Sequence, residues 1–300
     1  MAIIPNRKIF YIFSGTLLLA SIISLLVFGL KTGIDFTGGS LLEVEYSEGR
    51  VPPDEIRGTL EGFGLGNIVI QETENEGFIL RFKEVDEDTH QKILSALRGG
   101  GGGVFEKRFV AIGPTIGREL KERSLWAIFV VLFLIVLYIA WAFRRVSKPV
   151  SSWKYGVVAL IALFHDVLIP VGLFSILGRF VPAEVDTLFV TALLTILGFS
   201  VHDTIVVFDR IRENLKKAGS RIESFGELVE GSVKETFVRS INTSFTVLLS
   251  LSAVFLFGGE SVKYFTLALI VGVVAGTYSS IFIASPLLVT WQEWEKDRKK

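Results

Sequence analysis

Leu188-Phe189-Val190-Thr191-Ala192-Leu193-Leu194-Thr195-Ile196-Leu197-Gly198-Phe199-Ser200-Val201-His202-Asp203-Thr204-Ile205-Val206-Val207-Phe208 is apolar apart from a few hydroxyls, His202 and Asp203. About 20 such residues form a helix long enough to cross a bilayer. Comparable stretches lie at about Ile9–Leu30, Leu125–Phe143, Tyr155–Leu177, Ile241–Phe257 and Phe265–Val289. The expected fold class is an α-helical polytopic membrane protein with about six transmembrane helices. Its expected parts are 1–32 (a cytoplasmic N-terminus and the first span), 33–123 (an extracytoplasmic domain) and 124–300 (the other five spans and a cytoplasmic C-terminus).

Composition agrees. Half of the 300 residues are hydrophobic, 21% are charged, and mean hydropathy is +0.53. Such a balance requires the charges to be segregated from the apolar runs. The formal net charge of zero gives no footing for nucleic acid. With no cysteine there is no disulfide, no thiolate metal site and no Cys nucleophile. No spacing of other residues suggests a metal or cofactor site, so neither is expected.

The first span follows Arg7 and Lys8, as a signal peptide would. Its apolar run is too long for that, and no small-x-small cleavage site follows, so it reads as a retained anchor. Lys and Arg in short loops set orientation. One set of ends carries Arg7, Lys8, Arg144, Arg145, Lys148, Lys154, Arg210, Arg212, Lys216, Lys217, Arg221, Lys234, Lys296, Arg298, Lys299 and Lys300. The short loops on the other side carry Arg179 and Lys263. Both termini are therefore expected in the cytoplasm, and Lys31–Arg123 outside it.

Within the outer segment, Leu41–Tyr46 alternates apolar and charged residues, as a strand does. Asp54–Phe63 reads as a helix, Asn67–Gln71 and Phe78–Phe82 as strands joined by a turn at Glu74–Gly77, Asp86–Leu97 as a helix and Val104–Ile112 as a strand. The order β-α-β-β-α-β is ferredoxin-like. The glycine run Gly99–Gly103 lacks the Lys-Ser/Thr ending of a phosphate loop and reads as a flexible connection. Asp54, Glu55, Glu84, Asp86, Glu87 and Asp88 read as a solvated face.

Ionisable residues inside a span are expensive and mark function by default. His165 and Asp166 lie in the third span, His202 and Asp203 in the fourth, and Arg239 at the start of the fifth. At a rise of about 1.5 Å per residue, Asp203 lies about 23 Å from the outer end of its span and Arg239 about 27 Å from the end of its own. Equal depth on antiparallel neighbours leads to the expectation that they face each other. A carboxylate beside an Arg that comes and goes would take up and release a proton, while the Arg stays charged. The competing reading is a static pair that fixes packing. Gly198, Ser200, Thr204, Ser240, Asn242, Thr243, Ser244 and Thr246 suggest a polar seam between the fourth and fifth spans. Gly272, Gly276, Ser279 and Ser280 read as packing residues of the last span.

Several blocks together resemble the SecF family, whose members partner SecD in bacterial protein export. They are Gly33-Ile34-Asp35-Phe36-Thr37-Gly38-Gly39-Ser40, Gly113-Pro114-Thr115-Ile116-Gly117, Phe164-His165-Asp166-Val167, the stretch from Gly198 to Asn214, Arg239-Ser240-Ile241-Asn242-Thr243-Ser244 and Phe257-Gly258-Gly259. The resemblance implies a subunit of the bacterial inner membrane that uses the proton-motive force, with SecD, to help unfolded proteins through the SecYEG channel. It places the chain in the resistance–nodulation–division superfamily and maps the family's proton-pathway Asp and Arg onto Asp203 and Arg239, while Asp166 and His202 join the candidate relay as ionisable residues of the spans. It also implies that Asp35, Phe36, Thr37, Gly38 and Gly39 couple the relay to the outer domain. Where the family commonly has Asn, this chain has His202, which leaves sodium open as the coupling ion. The implied partners are SecD, SecYEG, the translocating chain and membrane lipid, with no bond-making chemistry. Alternatives are a small-molecule transporter subunit of the same superfamily, an aspartyl protease using Asp166 and Asp203, and an assembly subunit.

Overall fold

The computed structural model describes residues 2–298 except 48, 50, 74–75, 100–102, 144–149, 182 and 220–223. Arg144, Arg145, Lys148, Arg221, Lys299 and Lys300 of the orientation argument lie outside the described residues, as do Glu74 and Asn75 of the expected turn and Gly100–Gly102. The chain forms two compact units. One comprises Met1–Leu30, Ala127–Val181 and Leu188–Lys300, the other Lys31–Trp126 and Pro182–Thr187.

Among the described residues, six helices are long and apolar enough to cross a membrane. They are α1 (Arg7–Phe28), α5 (Pro114–Ala142), α6 (Ser152–Phe180), α7 (Thr187–Ala218), α8 (Phe225–Phe257) and a last span, Glu260–Arg298. The last consists of α9 (Glu260–Ser279), a π-helical turn (Ser280–Ala284) and α10 (Ser285–Arg298). Several helices extend well past their apolar runs. Arg239 therefore sits within α8 rather than at its start. At one end of the bundle, Tyr155 stacks on Phe143 at 5.3 Å and meets the edge of Phe208 at 5.2 Å. These rings join Val229, Val233 and Leu288 in a buried cluster.

Helices α1 and α6 approach closely because Gly172 lets them. Ser24 Oγ donates to the Gly172 carbonyl at 3.0 Å, and Ser175 Oγ donates to the Ser24 carbonyl at 2.8 Å. A Cβ at Gly172 would lie 2.5 Å from Ser21 Cα, a backbone atom that cannot simply rotate away. Gly172→Ala is therefore expected to force the helices apart and to cost about 1–3 kcal/mol. A thermal-unfolding midpoint in lipid equal to that of the parent protein would contradict this.

The second unit holds a four-stranded sheet of β1 (Gly39–Tyr46), β2 (Val69–Glu72), β3 (Gly77–Phe82) and β4 (Val104–Ile112). Its order is β2-β3-β1-β4 and its pairs are antiparallel, the ferredoxin-like arrangement. Leu42 and Val44 of β1 point to the core, with Leu80 and Phe78 opposite them on β3. The register of β1 with β4 slips between Glu43 and Val44, and Lys107 at the slip pairs with Glu45 at 2.7 Å. Two helices cover one face: α3 (Pro53–Leu60) through Ile56 and Leu60, and α4 (Glu87–Gly99) through Ile93, Leu94 and Leu97.

Helix α3 starts on Pro53, a favoured first-turn position, and ends earlier than expected because Gly62 and Gly64 take positive φ. Asp86 caps α4 by accepting the Thr89 N–H at 2.9 Å. Hydrogen bonds from the Thr89 side chain and backbone hold its carboxyl below the usual value. The carboxylates expected on a solvated face are all exposed. A short helix, α2 (Ile34–Thr37), was not expected.

Candidate functional site

Two carboxylates are buried in the membrane unit. Asp166 on α6 is fully enclosed, and Asp203 on α7 is 5% exposed. Neither meets a guanidinium among the described residues. Their partners are serine hydroxyls and, for Asp166, a ring nitrogen of His165. Asp166 Oδ2 accepts from Ser279 Oγ at 2.7 Å and from Ser200 Oγ, while its Oδ1 lies 2.8 Å from His165 Nδ1. Asp203 Oδ2 accepts from Ser280 Oγ at 3.0 Å, and the buried Ser240 hydroxyl of α8 also faces this carboxylate. Consecutive serines at the junction of α9 and the π turn thus contact carboxylates on two different helices.

Small residues make this reach possible. A Cβ at Gly276 would lie 2.9 Å from Ser200 Cβ, and one at Gly272 would overlap Ile196. These glycines let α9 press against α7. The π turn begins at Ser280, one turn after Gly276, and such turns recur at functional sites.

The expected face-to-face pair does not form. Arg239 is exposed on α8, while its neighbour Ser240 points inward. His202 is likewise exposed beside the buried Asp203. The polar seam runs among α6, α7 and the last span, with Ser240 from α8, rather than between the fourth and fifth spans alone. Ser279 and Ser280, read from sequence as packing residues, are hydrogen-bond donors to the carboxylates. Gly272 and Gly276 do pack, as expected. Ser244 meets Thr277 between α8 and α9, whereas Asn242, Thr243 and Thr246 are exposed on α8.

The glycine-rich segment 33–40 forms a junction in the second unit. Asp35 Oδ2 accepts the backbone N–H of Thr187 at 2.9 Å and also the Thr187 hydroxyl. Thr187 is the first residue of α7, so Asp35 caps that helix from a distant part of the chain, with its negative charge at the positive end of the helix dipole. Gly33 N–H donates to the Val185 carbonyl at 2.9 Å, and Val185 N–H to the Lys31 carbonyl at 2.8 Å. Phe36 is buried and the Thr37 hydroxyl closes α2 on the Gly33 carbonyl. Gly38 has φ of 76°, and a Cβ there would lie 2.9 Å from Pro114 at the start of α5. Gly39 has φ of 136°, and its Cβ would lie 2.8 Å from the Phe82 carbonyl oxygen. Only glycine suits both positions.

The family described as "Protein export membrane protein SecD/SecF, C-terminal" matches residues 95–294, and the SecD/SecF GG motif matches residues 23–49. The chain belongs to the SecD/SecF family. A protein translocase subunit SecF from Thermobaculum terrenum is 45% identical over 303 residues, covering 97% of this chain and 93% of that protein. A protein translocase subunit SecDF from Bacillus subtilis is 34% identical over 97% of this chain and 38% of its own length. The crystal structure of SecDF from Thermus thermophilus, described as a translocon-associated membrane protein, superposes with a TM-score of 0.84 at 32% identity, covering 98% of this chain. This chain spans 39% of that one.

The matched motif contains the 33–40 segment of the Asp35 junction, and the larger match contains Thr187, Asp166, Asp203, Arg239 and the serine pair. Sequence reading finds both carboxylates and the seam serines Ser200 and Ser240, but misses the donors Ser279 and Ser280 of the last span. The available signal was two adjacent serines directly after Gly276-Thr277-Tyr278, at the depth where two acids needed partners.

Proposed function

We propose that this chain, as a SecF-type protein translocase subunit, works with SecD in the bacterial inner membrane and uses the proton-motive force to assist unfolded proteins through SecYEG. The reading is carried by one observation: a SecD/SecF-family bundle encloses two carboxylates that are met by serine hydroxyls, with His165 also on Asp166, and by no Lys or Arg among the described residues. A carboxylate so held can exist charged, accepting from serine, or protonated, donating to it. A buried ion pair would resist that change far more strongly.

Protons would enter and leave at Asp203, with Asp166 as a second holder and with Arg239 and His202 on the outer faces of their helices, accessible to a partner subunit. Asp35, Phe36, Thr37, Gly38 and Gly39 would carry the resulting motion of α7 into the outer domain. Both termini would be cytoplasmic, in line with Lys154, Arg210, Lys216 and Lys217 at one set of helix ends.

The test is export by vesicles holding the chain with its SecD partner, under an imposed proton gradient or an imposed sodium gradient. The expected result is stimulation by protons alone. Stimulation by sodium alone would overturn the ion assignment, and stimulation by neither would overturn the reading.

A further inference from the structure

Each serine at the π turn has two acceptors within reach and one proton to give. Ser280 Oγ lies 3.0 Å from Asp203 Oδ2 and 3.0 Å from the carbonyl oxygen of Thr277. Ser279 Oγ lies 2.7 Å from Asp166 Oδ2 and 3.1 Å from the carbonyl oxygen of Gly276. Both serines are fully buried, so water does not supply an alternative partner at their surface. An ionised carboxylate only accepts hydrogen bonds, whereas a protonated one also donates. The carboxylate therefore dictates which way the hydroxyl points.

We propose that Ser280, with Ser279 beside it, reads the protonation of the buried carboxylates by switching its hydroxyl proton between carboxylate and helix backbone. With Asp203 ionised, Ser280 donates to it. When a proton binds the Asp203 carboxylate, the new carboxyl O–H donates to Ser280 Oγ, and the Ser280 O–H turns to the Thr277 carbonyl. The only covalent bond made is that of the arriving proton, and the rest is exchange of hydrogen bonds. Ser279 does the same between Asp166 and the Gly276 carbonyl.

Both carbonyls lie in the last turn of α9, where the helix passes into the π turn. A serine bonded back onto its own helix bends it. The backbone here is already off the regular pattern, with the Ser285 hydroxyl donating to the Ser280 carbonyl at 3.1 Å, so it can absorb the change locally. Charge at the carboxylates thus becomes shape in the last span. This inference rests on Asp203 being the relay carboxylate.

The groups that meet Asp203 are Ser280 from the π turn and Ser240 from α8, while His202, exposed on its own helix, and Asp166 on α6 act on it through space. Those that face Asp166 are His165, Ser200 from α7 and Ser279. The seryl hydroxyls do not titrate, so replacing one removes a donor without removing a charge.

The test uses the full chain with its partner subunit in lipid, as Ser280→Ala and Ser280→Thr. Two quantities are read: the pH profile of gradient-driven export, and the infrared difference spectrum between low and high pH. The carboxylic-acid carbonyl band of Asp203 is assigned by its loss in Asp203→Asn. Ser280→Ala is expected to move the export profile to higher pH by about one unit, the effect of one lost hydrogen bond to a charged group. It is also expected to remove the amide carbonyl change that accompanies protonation. Ser280→Thr, which keeps the hydroxyl, restores both. If Ser280→Ala leaves the profile and the amide change as they were, or if Ser280→Thr behaves as Ser280→Ala does, the inference is overturned. A parent spectrum with no band that Asp203→Asn removes overturns the relay reading itself, and this inference with it.

Discussion

Asp203→Asn is expected to reduce the gradient-dependent part of export by about tenfold or more, because an ionisable group within a span is retained for its charge change. Asn has nearly the shape of Asp and keeps an oxygen that can accept from Ser280 Oγ, which lies 3.0 Å from the present carboxylate. The helix contacts around it survive, so the amount of the chain in the membrane should not fall. What Asn cannot do is ionise. Export should then proceed at its gradient-independent rate whatever the imposed pH difference. The comparison is made in vesicles carrying the chain with its partner, and full gradient dependence in the variant would remove Asp203 from the mechanism. Arg239→Met makes a useful companion. Arg239 is exposed on α8, so its effect should depend on the partner subunit being present.

The contrast between Asp203 and Arg239 shows what was legible beforehand. Depth along a helix follows from a constant rise, about 1.5 Å per residue, and Ser240, the neighbour of Arg239, does reach the Asp203 carboxylate. Direction around the helix was not legible. Arg239 and Ser240 are adjacent, yet the structure turns Ser240 inward and Arg239 outward. A step of about 100° separates them, and only the packing of α8 on its neighbours decides which one faces in. The serines of the last span were undervalued for a related reason. Hydroxyls barely alter the apolar character of a span, and a π turn leaves no mark in its hydropathy. The ferredoxin-like unit was far more legible, since alternation in β1 and the i, i+4 pair Ile56 and Leu60 are local signals. Its extra piece, residues 183–187 joined to the Asp35 segment, depends on contacts across about 150 residues that no local pattern records.

Asp35→Ala is expected to have the second largest effect. The substitution removes the acceptor for both the N–H and the hydroxyl of Thr187, along with a negative charge at the start of α7. Loss of such a cap costs about 1–2 kcal/mol, and its dipole contribution adds about 0.3–1 kcal/mol. A first turn weakened by that amount opens roughly 10- to 100-fold more often, since about 1.4 kcal/mol corresponds to a factor of ten. Hydrogen exchange of the first amides of α7 reports it directly, and unchanged protection there would show that Asp35 is not the cap. Gradient-dependent export should fall with it by about tenfold, because Asp35 holds the first turn of the helix on which Asp203 lies. Asp35→Asn, which keeps an acceptor but no charge, should fall between the two.

The outward row Arg239, Asn242, Thr243 and Thr246 bears on what α8 needs beside it. In lipid, a lone copy would leave the Arg239 guanidinium uncovered, at a cost below the ~2.5–3.5 kcal/mol of a mid-bilayer charge. A covering helix removes that cost, and without one the span tends to tilt, snorkel or slip from the bilayer.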